Sequence, residues 1–498
     1  ARPNFRFGFG KGRLPVFYIS MIVIAVLNLL LTGLFRDTRY DMVFVLGCGY
    51  WLLCLLAMHQ VKLAVEKNDA ETLYHTIVVF FVLNAIVSFA VYAGIVFETG
   101  TINPYRYQGN YQKYFIGTGD YIKGISFDTS TTNAVLNAFG VLFFLYKRKL
   151  SLTLLCMLVL LLTGSNMINI LLVLAFLYVF LFRSDRDQKT VVLICLAMLV
   201  IFWVRISPQN NSYISATWEK ILGRDKKNTP RPTVNLRITE RPDSTLSPDE
   251  KNEKMAQLYV DSVTLAMSKT RKTAVQKALP DTVLSVTGKP VLPHDNIHSP
   301  AFQHKWDSTA LQKQLAGYVK KENLEDSALV IPGAKKMPGK LLAWKQTFVF
   351  LKNHPYQWIT GTGMGNFSSK LAFRVTGLGI AGNYPVEYRY IYPGFKNNHL
   401  ELQLSYYTRN DSLHSLTNNP NSVYNQLLSE YGIAGLLCFA FLYIGFFAKR
   451  YRQLNYGRPI LLLMLAVFFT DYWFEQLSVV VFFELFLFLD IRENGGYA

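Results

Sequence analysis

Segment 418–447, NNPNSVYNQLLSEYGIAGLLCFAFLYIGFF, sets hydrogen-bonding side chains at the mouth of a membrane-length apolar run. With Asn419 as cap and Pro420 in the first turn, a helix from there aligns Ser422, Asn425, Gln426, Ser429 and Glu430 at three- and four-residue spacing. An unpaired carboxylate facing lipid is costly, so Glu430 is expected to face a cavity or a partner. The stripe can be a chemical site or a hydrogen-bond cluster joining helices. Gly432 and Gly435 would let a neighbouring helix approach closely.

Upstream, GKLLAWKQTFVFLKN reads as a short helix lined on one side by Leu341, Leu342, Trp344, Phe348 and Leu351. Lys340 and Lys345 occupy its early turns, and Asn353-His354-Pro355 stops it. The turn Gly361-Thr362-Gly363-Met364-Gly365-Asn366-Phe367 follows. Its backbone amides could cradle a phosphate, with Gly363, Gly365 and Asn366 as candidate substrate contacts. The alternative is a tight turn seating the helix on the membrane surface. The glycine spacing, without a βαβ unit around it, makes a poor dinucleotide fingerprint. His399 and His414 lie near the polar stripe and are candidates for proton transfer, against a plainer reading as solvated loop histidines. His294, His298 and His304 fall in a loop-like stretch without cysteine or helical carboxylate, so no metal site is expected, and no cofactor.

The elements that must position these groups are membrane helices. Of 498 residues, 51% are hydrophobic and 14% aromatic, and the apolar residues gather into long runs. Crossing the hydrocarbon layer takes roughly 20 apolar residues. Runs of that order fall near 15–35, 42–61, 76–97, 131–146, 190–206, 427–447, 459–474 and 476–490. Stretch 150–183 is too long for one helix and divides at Thr163-Gly164-Ser165-Asn166, which brings the expected number to about ten. Basic clusters at Arg2/Arg6/Lys11/Arg13, Lys147-Arg148-Lys149, Arg183/Arg186/Lys189 and Lys449-Arg450/Arg452/Arg458 then share one side, with both termini cytoplasmic. The fold class expected is an all-α polytopic membrane protein with one large extracytoplasmic loop domain between helices 7 and 8.

The domain division expected is 1–206, helices 1–7; 207–338, an enlarged polar loop domain; 339–426, the loop helix, glycine turn and approach to helix 8; and 427–498, helices 8–10. Between Ile206 and Gln426, Lys and Arg outnumber Asp and Glu by about eleven, a basic field suited to phosphates, anionic glycans or an anionic leaflet. Within it, helices are expected at 247–279, opened by Ser247-Pro248-Asp249-Glu250, and at 307–321. The net charge is +18. No nucleic-acid partner is expected.

The order of a Trp-bearing helix, a G-x-G-x-G-N-F turn and a helix opening HN-x-Y-L-Q-L-L-x-E-x-G-I-x-G-L resembles the O-antigen ligase and polymerase superfamily of bacterial membrane proteins. Here the last element reads Asn421-Ser422-Val423-Tyr424-Asn425-Gln426-Leu427-Leu428-Ser429-Glu430-Tyr431-Gly432-Ile433-Ala434-Gly435-Leu436. Segment 123–133, from Lys123-Gly124-Ile125-Ser126-Phe127 to Asn133, is similar to the family's R-x-x-G-x-F-x-x-P-N stretch. The resemblance covers about 339–447 specifically and does not extend over 207–335.

The resemblance implies a multi-pass protein of the bacterial inner membrane, with its large loop periplasmic. Such a protein moves a glycan from an undecaprenyl-diphosphate-linked donor to an acceptor glycan or lipid A-core. Membrane lipid and other envelope proteins are the further partners expected. Cations hold the departing diphosphate, and a base can help the acceptor hydroxyl attack. The family's loop-helix arginine falls on Lys340; Arg374, Arg389 and Arg205 are further cations for diphosphate or glycan. The family's histidine base falls on Asn421, which cannot accept a proton at neutral pH. The resemblance thus leaves open His399, His414 or Glu430 as base, departure assisted by cations alone, or a non-catalytic subunit that binds a protein or glycan partner through the large loop.

Overall fold

The computed structural model of the chain describes residues 14–99, 102–103, 105, 122–206, 337–377, 384–400, 402–403 and 419–495. The helices expected at 247–279 and 307–321, together with His294, His298, His304 and His414, lie outside the described residues. Every element among the described residues is helical.

Among the described residues, seven α-helices come first: α1 (Phe17–Thr32), α2 (Thr38–Lys67), α3 (Ala70–Thr99), α4 (Ser130–Tyr146), α5 (Leu150–Leu162), α6 (Asn166–Phe182) and α7 (Arg186–Ile201). The expected division of 150–183 falls at Thr163–Ser165, where Gly164 takes a positive φ of 64°. The segment 339–403 contributes α8 (Gly339–Asn353), α9 (Gln357–Thr360), α10 (Lys370–Arg374) and α11 (Pro393–Asn398). Helix α12 (Val423–Cys438) continues through a wider π-type segment (Phe439–Ile444) to a last turn (Gly445–Ala448); α13 (Gly457–Val467) and α14 (Leu477–Gly495) close the fold.

Among the described residues, four helices, Thr38–Lys67, Ala70–Phe97, Arg186–Ile206 and Val423–Ala448, are long and apolar enough to cross a membrane. Large apolar side chains stand exposed along the helices, Leu31 at 73%, Phe97 at 88% and Phe441 at 69% among them. A surface of that kind belongs in lipid rather than water. The chain is a helical membrane protein. Its interior is aromatic: Phe17, Tyr18, Trp51, Tyr443, Phe468 and Phe474 pack in edge-to-face, tilted and stacked pairs between α1, α2, α12 and the α13–α14 connection.

Three local expectations need correction. The run 459–474 is not one helix: α13 stops at Val467 after 11 residues, about 16 Å. The chain then turns through Thr470 and Asp471 into a 3-10 turn, Trp473–Glu475. That irregular backbone is buried in protein, which lets it carry polar groups inside the fold. Helix α12 begins at Val423, not Pro420, because the Phe468 carbonyl at the end of α13 takes the Val423 amide (2.9 Å) while Asn419 Oδ1 takes the amide of Asn421 (2.9 Å). Finally, α8 buries a mixed polar and apolar face. It buries Lys340, Gln346 and Thr347 beside Leu342 and Leu351, whereas Leu341 and Phe348 are 40% and 45% exposed.

Candidate functional site

The polar stripe of α12 faces inward: Ser422, Asn425, Gln426, Ser429 and Glu430 are all buried. Halfway along, Gly432 breaks the helix with φ 66° and ψ −164°, a conformation essentially confined to glycine. Gly361, at the start of the glycine-rich turn, adopts a similar one (φ 77°, ψ −170°), and the two backbones meet there. The Thr362 amide donates to the Ser429 carbonyl (2.9 Å) and the Gly363 amide to the Glu430 carbonyl (3.1 Å). From the other side, Asn28 of α1 donates to the Gly361 carbonyl (2.8 Å) and the Tyr40 hydroxyl of α2 to that of Met364 (2.9 Å).

Contact this close admits no side chain. A Cβ on Gly432 would lie 2.4 Å from the Ile359 carbonyl oxygen and 2.7 Å from the Gly361 nitrogen. Gly432→Ala is therefore expected to lose about 3 kcal/mol or more, from backbone strain plus overlap, and to lower the melting temperature of the detergent-solubilised protein. A melt equal to wild type would mean that α9 and α12 do not meet there.

The amide cradle expected for a phosphate is real, but the protein fills it itself. Glu430 Oε2 accepts from the Gly365 amide (2.8 Å), and Oε1 from Phe367 (3.0 Å), Ser368 (3.1 Å) and Ser369 (3.0 Å). Glu430 thus fills the turn, with amide donors on both of its oxygens, and is not an open base. Gly363 and Gly365 belong to the walls of this cradle, and Asn366 braces it through Nδ2 on the Thr362 carbonyl (2.7 Å). Of the three, Gly365 gives its amide to the carboxylate, Gly363 its amide to the Glu430 main-chain carbonyl and Asn366 its side-chain amide to Thr362.

At the mouth of the stripe a second polar cluster forms. Lys340, 4% exposed, donates through Nζ to the carbonyl oxygens of Asn421 and Thr470 (3.1 Å to the latter). Asn421 Nδ2 donates to Asp471 Oδ1 (3.2 Å), and its Oδ1 accepts from Gln403 Nε2 (2.9 Å), which also reaches the Tyr472 hydroxyl (3.2 Å). Burial pulls Lys340 from 10.5 down to about 7, against the opposing pull of Asp471. Asp471 and Tyr472 lie in an apolar run in which nothing signals that α13 ends early, and Gln403 lies outside any motif.

One helical turn further along, His399 Nδ1 lies 2.8 Å from Gln346 Oε1, while Nε2 faces Asn425 Nδ2 (3.4 Å) and Thr347 Oγ1 (3.5 Å). Burial lowers it to about 3. It stays neutral, and a base so weak takes a proton poorly near pH 7. His399 is closer to a hydrogen-bonded core histidine than to a solvated one.

The remaining cations lie apart. Arg374, at the end of α10, donates to the Tyr50 hydroxyl (3.3 Å), and Arg389 packs on Gly377 three residues beyond Arg374. Arg205 is exposed at the π-type end of α7, where Asn103 Nδ2 holds the Ile206 carbonyl (3.0 Å). Lys345 is half-buried on α8. Among the described residues no group of three or more His, Cys, Asp or Glu could hold a metal ion. Compared with known protein families, curated proteins and solved structures, the chain matches none.

Proposed function

We propose that this chain transfers a glycan from an undecaprenyl-diphosphate donor to an acceptor glycan or lipid A-core, in the manner of O-antigen ligases and polymerases. In this reading about ten crossings keep both termini cytoplasmic in a bacterial inner membrane, with 207–426 on the periplasmic side. The observation that carries it is the contact of Lys340 with Asn421, the two positions at which the resemblance places the family's cation and base.

The chemistry follows from the lysine's state. With two N–H groups on the Asn421 and Thr470 carbonyls, a neutral amine keeps its lone pair for the acceptor hydroxyl's proton. Protonated, it has a third N–H for a phosphate oxygen. The acceptor oxygen bonds to the anomeric carbon, the bond to the diphosphate oxygen breaks, and the lipid diphosphate leaves with the electron pair. Asp471 favours the charged form and Asn421 orients the group. The test is deletion of the gene in its own host, with analysis of surface polysaccharide and lipid-linked donor. Donor should accumulate and glycan be lost, and Asn421→His should restore transfer at least to the wild-type level. Unchanged envelope glycans after deletion would refute the reading.

A second reading, a non-catalytic subunit binding a protein or glycan partner through the large loop, is favoured by the glycine turn's being filled by Glu430. Stoichiometric co-purification of envelope proteins, with glycans unaltered by deletion, would decide for it.

A further inference from the structure

Beside the filled turn, Glu430, Glu475, Gln426, Trp51, Tyr431 and Phe474 line a cavity with room for about one water molecule. Two carboxylates thus share one buried site, and both cannot readily be ionised there. Glu430 meets amide donors on both oxygens, so it offers a proton no acceptor. Glu475 is different: Oε2 takes the Leu371 amide (3.0 Å), but Oε1 faces the Gln426 side chain at 2.6 Å.

That separation is short for an amide N–H on oxygen and ordinary for O–H on oxygen. Gln426 is 4% exposed, and its carbonyl oxygen Oε1 has no hydrogen-bond partner. The two ends of a glutamine amide are told apart by their partners alone. Turning this amide over brings the orphan carbonyl onto Glu475, where it needs a proton to accept. The NH2 group is left in the cavity, where a water can receive it.

We propose that Glu475 and Glu430 form a one-proton carboxylate pair, with the proton on Glu475 and donated to the Gln426 carbonyl. This site is independent of the glycan-transfer reading. Its charged and titratable surroundings are Glu430 and Tyr431 on α12, Lys370 on α10, Cys54 on α2 and Tyr472 on its own turn. Burial lifts Glu475 from 4.5 to about 8, the Glu430 charge adds to this and Lys370 opposes it. Folded protein therefore holds this proton more tightly than unfolded chain. The stability it contributes is complete below 4.5 and is lost as pH rises through about 8.

The test is infrared spectroscopy of the solubilised full-length protein. Below neutral pH, wild type minus Glu475→Gln should show a carboxylic-acid C=O band that disappears as pH rises through about 8. Gln426→Leu should move that band to higher frequency, because the acid loses its acceptor. Identical wild-type and Glu475→Gln spectra, or a band unmoved by Gln426→Leu, would overturn the proposal.

Discussion

Glu430→Leu is expected to be the most damaging single substitution in the described fold. It strands four amides, those of Gly365, Phe367, Ser368 and Ser369, in a buried turn. At roughly 1–3 kcal/mol for each unsatisfied donor, the loss exceeds about 4 kcal/mol, a large part of a typical domain's stability. The solubilised variant should aggregate or elute as misfolded material on size exclusion. Glu430→Gln keeps one acceptor oxygen but points an NH2 group at N–H donors, so an intermediate loss is expected. A leucine variant that melts like wild type would show that the turn does not depend on the carboxylate. Glu430→Gln with full stability but no glycan transfer would instead return the residue to chemistry.

The second large effect is at Lys340. Lys340→Ala removes hydrogen bonds to two buried carbonyls and leaves Asp471 without its neighbouring cation, a loss of about 2–4 kcal/mol. Lys340→Met retains the packed stem and separates structure from chemistry. It should fold while lowering glycan transfer more than tenfold; normal transfer would remove the lysine from the proposed mechanism. The pH dependence has a definite sign. Lys340 titrates near 7 when folded and near 10.5 when unfolded, so the unfolded chain binds the extra proton between those values. The lysine's contribution is present above 10.5 and lost as pH falls through about 7. Wild type should therefore gain stability over Lys340→Met as pH climbs from about 7, and a flat difference would contradict a buried, depressed lysine.

These two residues mark how far the chain could be read without its fold. Apolar run lengths announced a membrane protein, and 3.6-residue periodicity put Ser422, Asn425, Gln426, Ser429 and Glu430 on one face of α12. Periodicity states which groups share a face, but not what lies opposite. Phosphate and carboxylate appeal equally to a ring of amides, and only the tertiary structure places Glu430 against the turn more than 60 residues upstream. The same holds for α8, where Leu341 and Phe348 stay exposed while Lys340 and Gln346 are buried with Leu342 and Leu351, because the two polar side chains find partners inside. Asp471 falls inside the apolar run 459–474, and Glu475 directly between that run and 476–490. They become interior groups because α13 stops after Val467, and Asn421, α10 and α12 supply the hydrogen bonds that lipid could not.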